Sequence, residues 1–196
     1  NKLAEDVFAI DMNNDGDIDI VSAAKDADMI TWYDNNGSQS FTAYRITTTA
    51  DYVTSIYPAD VDNDGDIDIL STSSSDNTIA YYENNGATTP AFAHQIISTD
   101  ANEAQSVFAA DLDRDGYLDI LSASQADNKI AWYENTTPAT SAPTFGSAGM
   151  HIAGTNANRP SAVFAEDIDG DGDQDIVSTS EYGGNIAWYE NDGAPN

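Results

Sequence analysis

The chain has 196 residues, 40% of them hydrophobic, enough for one ordinary domain with a core. Six basic residues against 34 acidic ones leave a formal charge of −28, which disfavours nucleic acid and anionic membrane as partners. No cysteine is present, which excludes disulfide frameworks, thiolate metal sites and cysteine nucleophiles, and no apolar run is long enough to span a bilayer or form a signal peptide.

In chain order the dominant feature is self-similarity. Each unit opens with a segment that runs into an acidic loop: Val7–Ile10, Ile56–Ala59, Val107–Ala110 and Val163–Glu166. The loops follow as Asp11–Asp19, Asp60–Asp68, Asp111–Asp119 and Asp167–Asp175, all reading D-x-[DN]-x-D-G-x-x-D. Their first aspartates are 49, 51 and 56 residues apart. A second segment leaves each loop as Ile18–Ser22, Ile67–Ser71, Leu118–Ser122 and Gln174–Ser178. Polar turns around Asp26–Asp28, Asp76-Asn77, Asp127-Asn128 and Gly183-Gly184 come next.

The third segment, I-[AT]-[WY]-Y-[DE]-N, occurs as Ile30–Asn35, Ile79–Asn84, Ile130–Asn135 and Ile186–Asn191. Side chains alternate across a strand, so Ile shares one face with Trp32, Tyr81, Trp132 or Trp188, and Ala or Thr shares the other with Tyr. Both faces are apolar, as a sheet stacked between two others requires. The repeated aromatic is therefore expected to pack between sheets rather than to stack on a sugar ring. A fourth segment, Phe41–Thr47, Phe92–Ile97 and Phe145–Ile152, has no counterpart after Asn191, and Thr136–Thr144 reads as a loop insertion. Four-stranded units of this length predict a β-propeller. The fold class is all-β, with four-stranded antiparallel blades in a single propeller region over 1–196. The repeats run approximately 1–49, 50–100, 101–156 and 157–196, the last incomplete.

Aspartate-glycine pairs alone mark tight turns, but a turn does not require acids at positions one, three and nine. Oxygens at alternate positions around a glycine bend suit a hard divalent cation held at about 2.3–2.6 Å. Position seven varies (Asp17, Asp66, Tyr117, Asp173), as befits a backbone carbonyl donor. All the donors are oxygens, which favours Ca2+ over zinc or copper. These are not EF-hands: position twelve is Ser22, Ser71, Ser122 or Ser178 rather than Glu, and the flanks read as strands.

With these loops and the I-[AT]-[WY]-Y-[DE]-N segment, nearly the whole chain resembles the FG-GAP/VCBS repeat family, which includes the propeller of integrin α-subunits and many secreted bacterial proteins. The resemblance implies one calcium ion per loop, up to four. Carried over by position, the side-chain ligands are Asp11, Asn13, Asp15 and Asp19; Asp60, Asp62, Asp64 and Asp68; Asp111, Asp113, Asp115 and Asp119; and Asp167, Asp169, Asp171 and Asp175. Asp17, Asp66, Tyr117 and Asp173 supply carbonyls. Relatives with seven blades would need roughly 350 residues at this period, so the four repeats are expected to be part of a larger propeller, with a small four-bladed ring and half of an assembled ring as alternatives. The start at Asn1, without methionine, suggests a processed or partial product.

No catalytic constellation is visible: His94 and His151 occupy non-equivalent positions with no nucleophile nearby in sequence, and Thr136–Thr144 contains no ionisable residue. The expected function is a non-enzymatic, calcium-stabilised binding or adhesion module, secreted or on the cell surface, recognising glycan or protein. The alternatives are a domain of a polysaccharide-active enzyme and a structural assembly unit. The apolar faces around Trp32 and Trp188 would meet water unless further blades, ring closure or self-association covers them.

Overall fold

A computed structural model describes residues 3–87, 90–136, 143–154 and 157–193. Each repeat forms one antiparallel sheet. The first contains β1 (Ala4–Ile10), β2 (Asp19–Ala24), β3 (Met29–Asn35) and β4 (Phe41–Thr47). The second contains β5 (Val53–Ala59), β6 (Asp68–Ser73), β7 (Thr78–Asn84) and β8 (Phe92–Ser98). The third contains β9 (Ala104–Ala110), β10 (Asp119–Ser124), β11 (Lys129–Asn135) and β12 (Phe145–Gly154). The fourth has only β13 (Pro160–Glu166), β14 (Asp175–Ser180) and β15 (Ile186–Tyr189). Strand order within every sheet follows chain order, so each blade is a simple meander. Most of the expected insertion lies outside the described residues.

Acidic loops join the first strand of each blade to the second, with Ile10 opposite Asp19 at the mouth of the first hairpin and Ala59 opposite Asp68 in the second. The opposite ends turn through residues that tolerate a left-handed backbone: Asp28, Asn77, Asn128 and Gly184, at φ 52°, 61°, 56° and 61°. Three of these side chains also clamp the following blade. Asp28 accepts from the Tyr52 N–H, Asn77 from Glu103 and Asn128 from Arg159, each at 2.9 Å.

The first strands lie side by side, β1 against β5, β5 against β9 and β9 against β13. The sheets fan out from them as an open arc of four propeller blades rather than a closed ring. The core lies between blades. Ile30 and Trp32 meet Ala80 and Tyr82 of the next blade. Ile79 and Tyr81 meet Ala131 and Tyr133, and Ile130 and Trp132 meet Ile176 and Tyr189. The alternation read from the third segment is therefore the one that builds the interfaces, and β6 and β10, covered on both sides, are buried throughout.

This polarity corrects one expectation. Trp32 does not face water at the open start of the arc, because its face points forward into blade two and leaves it 2% exposed. The uncovered rear of blade one instead presents Val7, with half-buried Tyr33 on its third strand. At the far end nothing among the described residues covers Ile186, 76% exposed, or Trp188, 48% exposed. A cleft of about 640 Å³ opens between blades three and four, with Trp132, Glu134 and His151 on one wall and Tyr189 and Asn191 on the other.

Candidate metal centres

Each loop is organised by its own carboxylates. The first-position aspartate caps the bend: Asp11 accepts from the N–H groups of Asp15 and Gly16 at 3.1 and 2.9 Å. Asp60 does the same for Asp64 and Gly65. Asp111 and Asp167 accept from Gly116 and Gly172, each at 3.0 Å. Gly16, Gly65, Gly116 and Gly172 have φ between 92° and 96°, a conformation costly for a residue with a Cβ. The fifth-position carboxylate then accepts the N–H of residue seven in all four loops: Asp17, Asp66, Tyr117 and Asp173 donate to Asp15, Asp64, Asp115 and Asp171.

The ninth position is set apart. Asp19, Asp68, Asp119 and Asp175 are fully buried at the start of their strands. One oxygen of each accepts the N–H of residue two: Met12, Val61, Leu112 or Ile168. The other accepts the N–H of the asparagine ending the third segment, Asn35, Asn84, Asn135 or Asn191, at 2.7–2.9 Å. Trp32 adds its indole N–H to Asp19 at 3.0 Å, and Tyr81 its hydroxyl to Asp68 at 3.0 Å. The aromatic of the third strand therefore both packs between blades and holds a loop carboxylate in place. Burial and the neighbouring Asp68 push the Tyr81 hydroxyl upward, which keeps it a donor.

Burial raises Asp68 and Asp119 to about 7. Asp62 rises to about 6 through burial and the Asp64 carboxylate, and Asp115 rises through burial and Asp113. Asp175 behaves oppositely: burial pushes it up, but the hydrogen bonds donated by Asn191, Ile168, Trp188 and Asp169 together lower it.

Three of the expected ligands come together in each of loops two, three and four. Carboxylate oxygens of Asp60, Asp62 and Asp68 lie within 4.8 Å of one another, as do those of Asp111, Asp113 and Asp115 and those of Asp167, Asp169 and Asp171. Buried Asp111 Oδ1 has no hydrogen-bond partner, the condition of an oxygen reserved for a cation. In the first loop Asn13 takes the third place, and its amide reaches Asp15 at 3.2 Å and Asp34 at 3.3 Å. The donor set is all oxygen, negatively charged and bent around glycine, and it fits calcium.

Sequence reasoning passed over two positions of the third segment. Its acid, Asp34 in the first repeat, reaches the loop from the side, and Asp19 and Asp15 add to the burial that raises it. Its asparagine binds the ninth-position aspartate and also reaches backward: the amides of Asn84, Asn135 and Asn191 donate to the carbonyls of Met12, Val61 and Leu112 in the preceding blade's loop. The fourfold [DE]-N repetition was the available signal.

Three comparisons bear on identity. A search of the curated proteins finds no significant match. Among solved structures, the chain is similar to an Agrocybe aegerita lectin described for specific recognition of non-reducing terminal N-acetylglucosamine. The TM-score is 0.61 and the identity 17%, over 98% of this chain and 52% of that one. At that identity the likeness shows the fold, and the chain spans about half the lectin's length. The family model for the FG-GAP-like repeat matches residues 11–71, 60–122 and 111–178, each match running from one acidic loop through the next, and by this the chain belongs to the FG-GAP-like repeat family.

Proposed function

We propose that the protein is a non-catalytic binding module of the cell exterior whose four loops hold structural calcium and whose propeller face recognises glycan or protein. The observation that carries this reading is the loop geometry: three carboxylate ligands converge in each of repeats two, three and four. Asp11, Asn13, Asp15 and Asp19 and their counterparts supply side-chain oxygens, and residue seven supplies a carbonyl. The bound ion would offset carboxylate repulsion that at 4 Å costs about 4 kcal/mol per pair at an effective dielectric of 20. Loops of modest affinity fill where free calcium is millimolar, which is why the exterior suits them. The lectin likeness supports the recognition role at the level of fold.

Calorimetric titration of the metal-stripped protein should give four calcium ions per chain, with magnesium a poor substitute. Zero stoichiometry, or equal preference for magnesium, would overturn the metal reading. A glycan array probed with the calcium-loaded chain tests the recognition half separately. Binding confined to defined sugars supports it, and turnover of an arrayed polysaccharide would replace it with an enzymatic role.

A further inference from the structure

The loops are joined to one another through their fourth residues. Asn14 Nδ2 donates to the Gly65 carbonyl at 2.9 Å, Asn63 Nδ2 to Gly116 at 3.4 Å, and Arg114 Nε to Gly172 at 3.1 Å. The acceptor is always the bend glycine of the next loop. All three donors sit in the left-handed region, at φ 58°, 58° and 64°, which aims their side chains out of their own loop. The fourth loop has no described successor, and it carries Gly170 at this position, with φ 82° and no side chain to donate.

The peptide unit that accepts each bond is the one that matters for metal. On its other side is the N–H of residue seven, which holds the fifth-position carboxylate at 2.9, 2.9 and 2.8 Å in loops two, three and four. Residue seven itself carries the carbonyl proposed as a ligand. A bond to the glycine carbonyl therefore orients two donors of the neighbouring loop. The return path runs through Asn84, Asn135 and Asn191, each fixed by a ninth-position carboxylate and each donating back to the preceding loop. Arg114 adds charge to its bridge, with Nε 2.6 Å from Asp173 Oδ1 of the fourth loop.

We propose that Asn14, Asn63 and Arg114 are positioning residues that couple neighbouring calcium loops, so that the loops fill cooperatively along the arc. This rests on the calcium reading above. Two distinct sites, each ordered by its ion, share a peptide plane whose orientation both require, and coupling of that kind is reciprocal.

The test is a calcium titration of the full metal-stripped chain beside Asn14→Gly, Asn63→Gly and Arg114→Gly. Glycine keeps the left-handed backbone and is the residue the fourth loop uses. The native chain should bind four ions with a Hill slope above one. Each variant should keep four sites but show a slope closer to one and a midpoint weakened about fivefold, at the low end of common coupling strengths. Silencing loop two with Asp64→Ala, at the fifth position that is aspartate in all four loops, should weaken loops one and three in the native chain and do so less in the Asn14→Gly/Asn63→Gly background. If a glycine variant fails to fold, Asn63→Asp removes the donor while keeping the size. Identical slopes and midpoints in native and variant chains overturn the coupling while leaving calcium binding intact, whereas a native chain that binds no calcium overturns both.

Discussion

The same motif position can have opposite energetic weight in different copies. Trp32 and Trp188 are equivalent in sequence, yet one is sealed against blade two and the other faces open solvent. Trp32→Ala is therefore expected to cost about 3–5 kcal/mol, and Trp188→Ala distinctly less, because about half of its surface stays in water there. Urea unfolding of the two variants in calcium decides it, and equal losses would mean that Trp188 is covered in solution. A second pairing explains the variable seventh position. Gly37, Gly86 and Gly193, all at positive φ, lie where a Cβ would strike the side chains of Asp17, Asp66 and Asp173. The repeat that places Tyr117 at position seven has Thr137, not glycine, two residues past its asparagine. Gly86→Ala should therefore lower both stability, by about 1–3 kcal/mol from backbone strain alone, and calcium affinity in loop two. Calorimetry and thermal melting of that variant would show whether the two losses come together.

At the scale of the loop hairpin, metal and protons compete for the same oxygens. In the metal-free chain Asp62, Asp68 and Asp119 titrate at about 6, 7 and 7, above the ordinary 3.8. The folded chain thus binds more protons than the unfolded one between about pH 4 and 7, so metal-free stability falls as pH rises through that window. Calcium needs the ionised carboxylates, so the loaded chain should show the reverse trend and lose its ions as pH falls below about 7. Melting curves at pH 5 and 8, with chelator and with calcium, should cross. A metal-free chain that gains stability toward pH 8 would contradict this. At pH 8 chelation should remove at least the contribution of one loop, about 2.7 kcal/mol at 100-fold excess over the dissociation constant, which is several degrees in melting temperature for a chain of this size. An unchanged melt would show that the loops are independent of metal.

These elements were largely legible in the sequence. The loops and strands announce themselves by period, since glycine bends and alternation are local signals. Asp34 and the clamp from Asn84 to Met12 were not legible, because the asparagine lies 16 residues from the aspartate it binds and 72 from the carbonyl it reaches. Partners of that kind are set by register between sheets, which local spacing does not encode. The direction in which Trp32 faces was hidden for the same reason: alternation tells which residues share a face, but the handedness of stacking tells which neighbour the face meets.

For the whole molecule, the arc has two unlike ends. Forward faces of the third strand fit rear faces of the next blade inside the chain, so the forward face of blade four and the rear of blade one are complementary in kind. Covering by a second copy, or continuation into further blades, would bury Ile186 and Val7 alike. If copies associate this way the contact is head to tail and either closes into a ring or extends. Sedimentation in calcium across a hundredfold concentration range should reveal growth, with acrylamide quenching of Trp188 falling in step. A monomer throughout, with Trp188 freely quenched, would show that copies of this chain do not cover the face.

The cleft beside Trp132 has a further meaning once the intact blades are considered. The phenylalanines that open the outer strands of blades two and three pack on the aromatic of the blade before. Phe92 lies edge-on to Trp32 with ring centroids 6.5 Å apart, and Phe145 lies against Tyr81 at 6.4 Å. Beside Trp132 the described residues leave the cleft, which opens toward Tyr189 and Asn191. No blade is finished by its own residues, so the arc behaves as a row of overlapping tiles, each pinned by the next. Loosening then has a direction: amide hydrogens of β15 and β14 should exchange first, those of β11 and β12 next, and the interior strands β6 and β10 last, as a wave that travels backward from blade four.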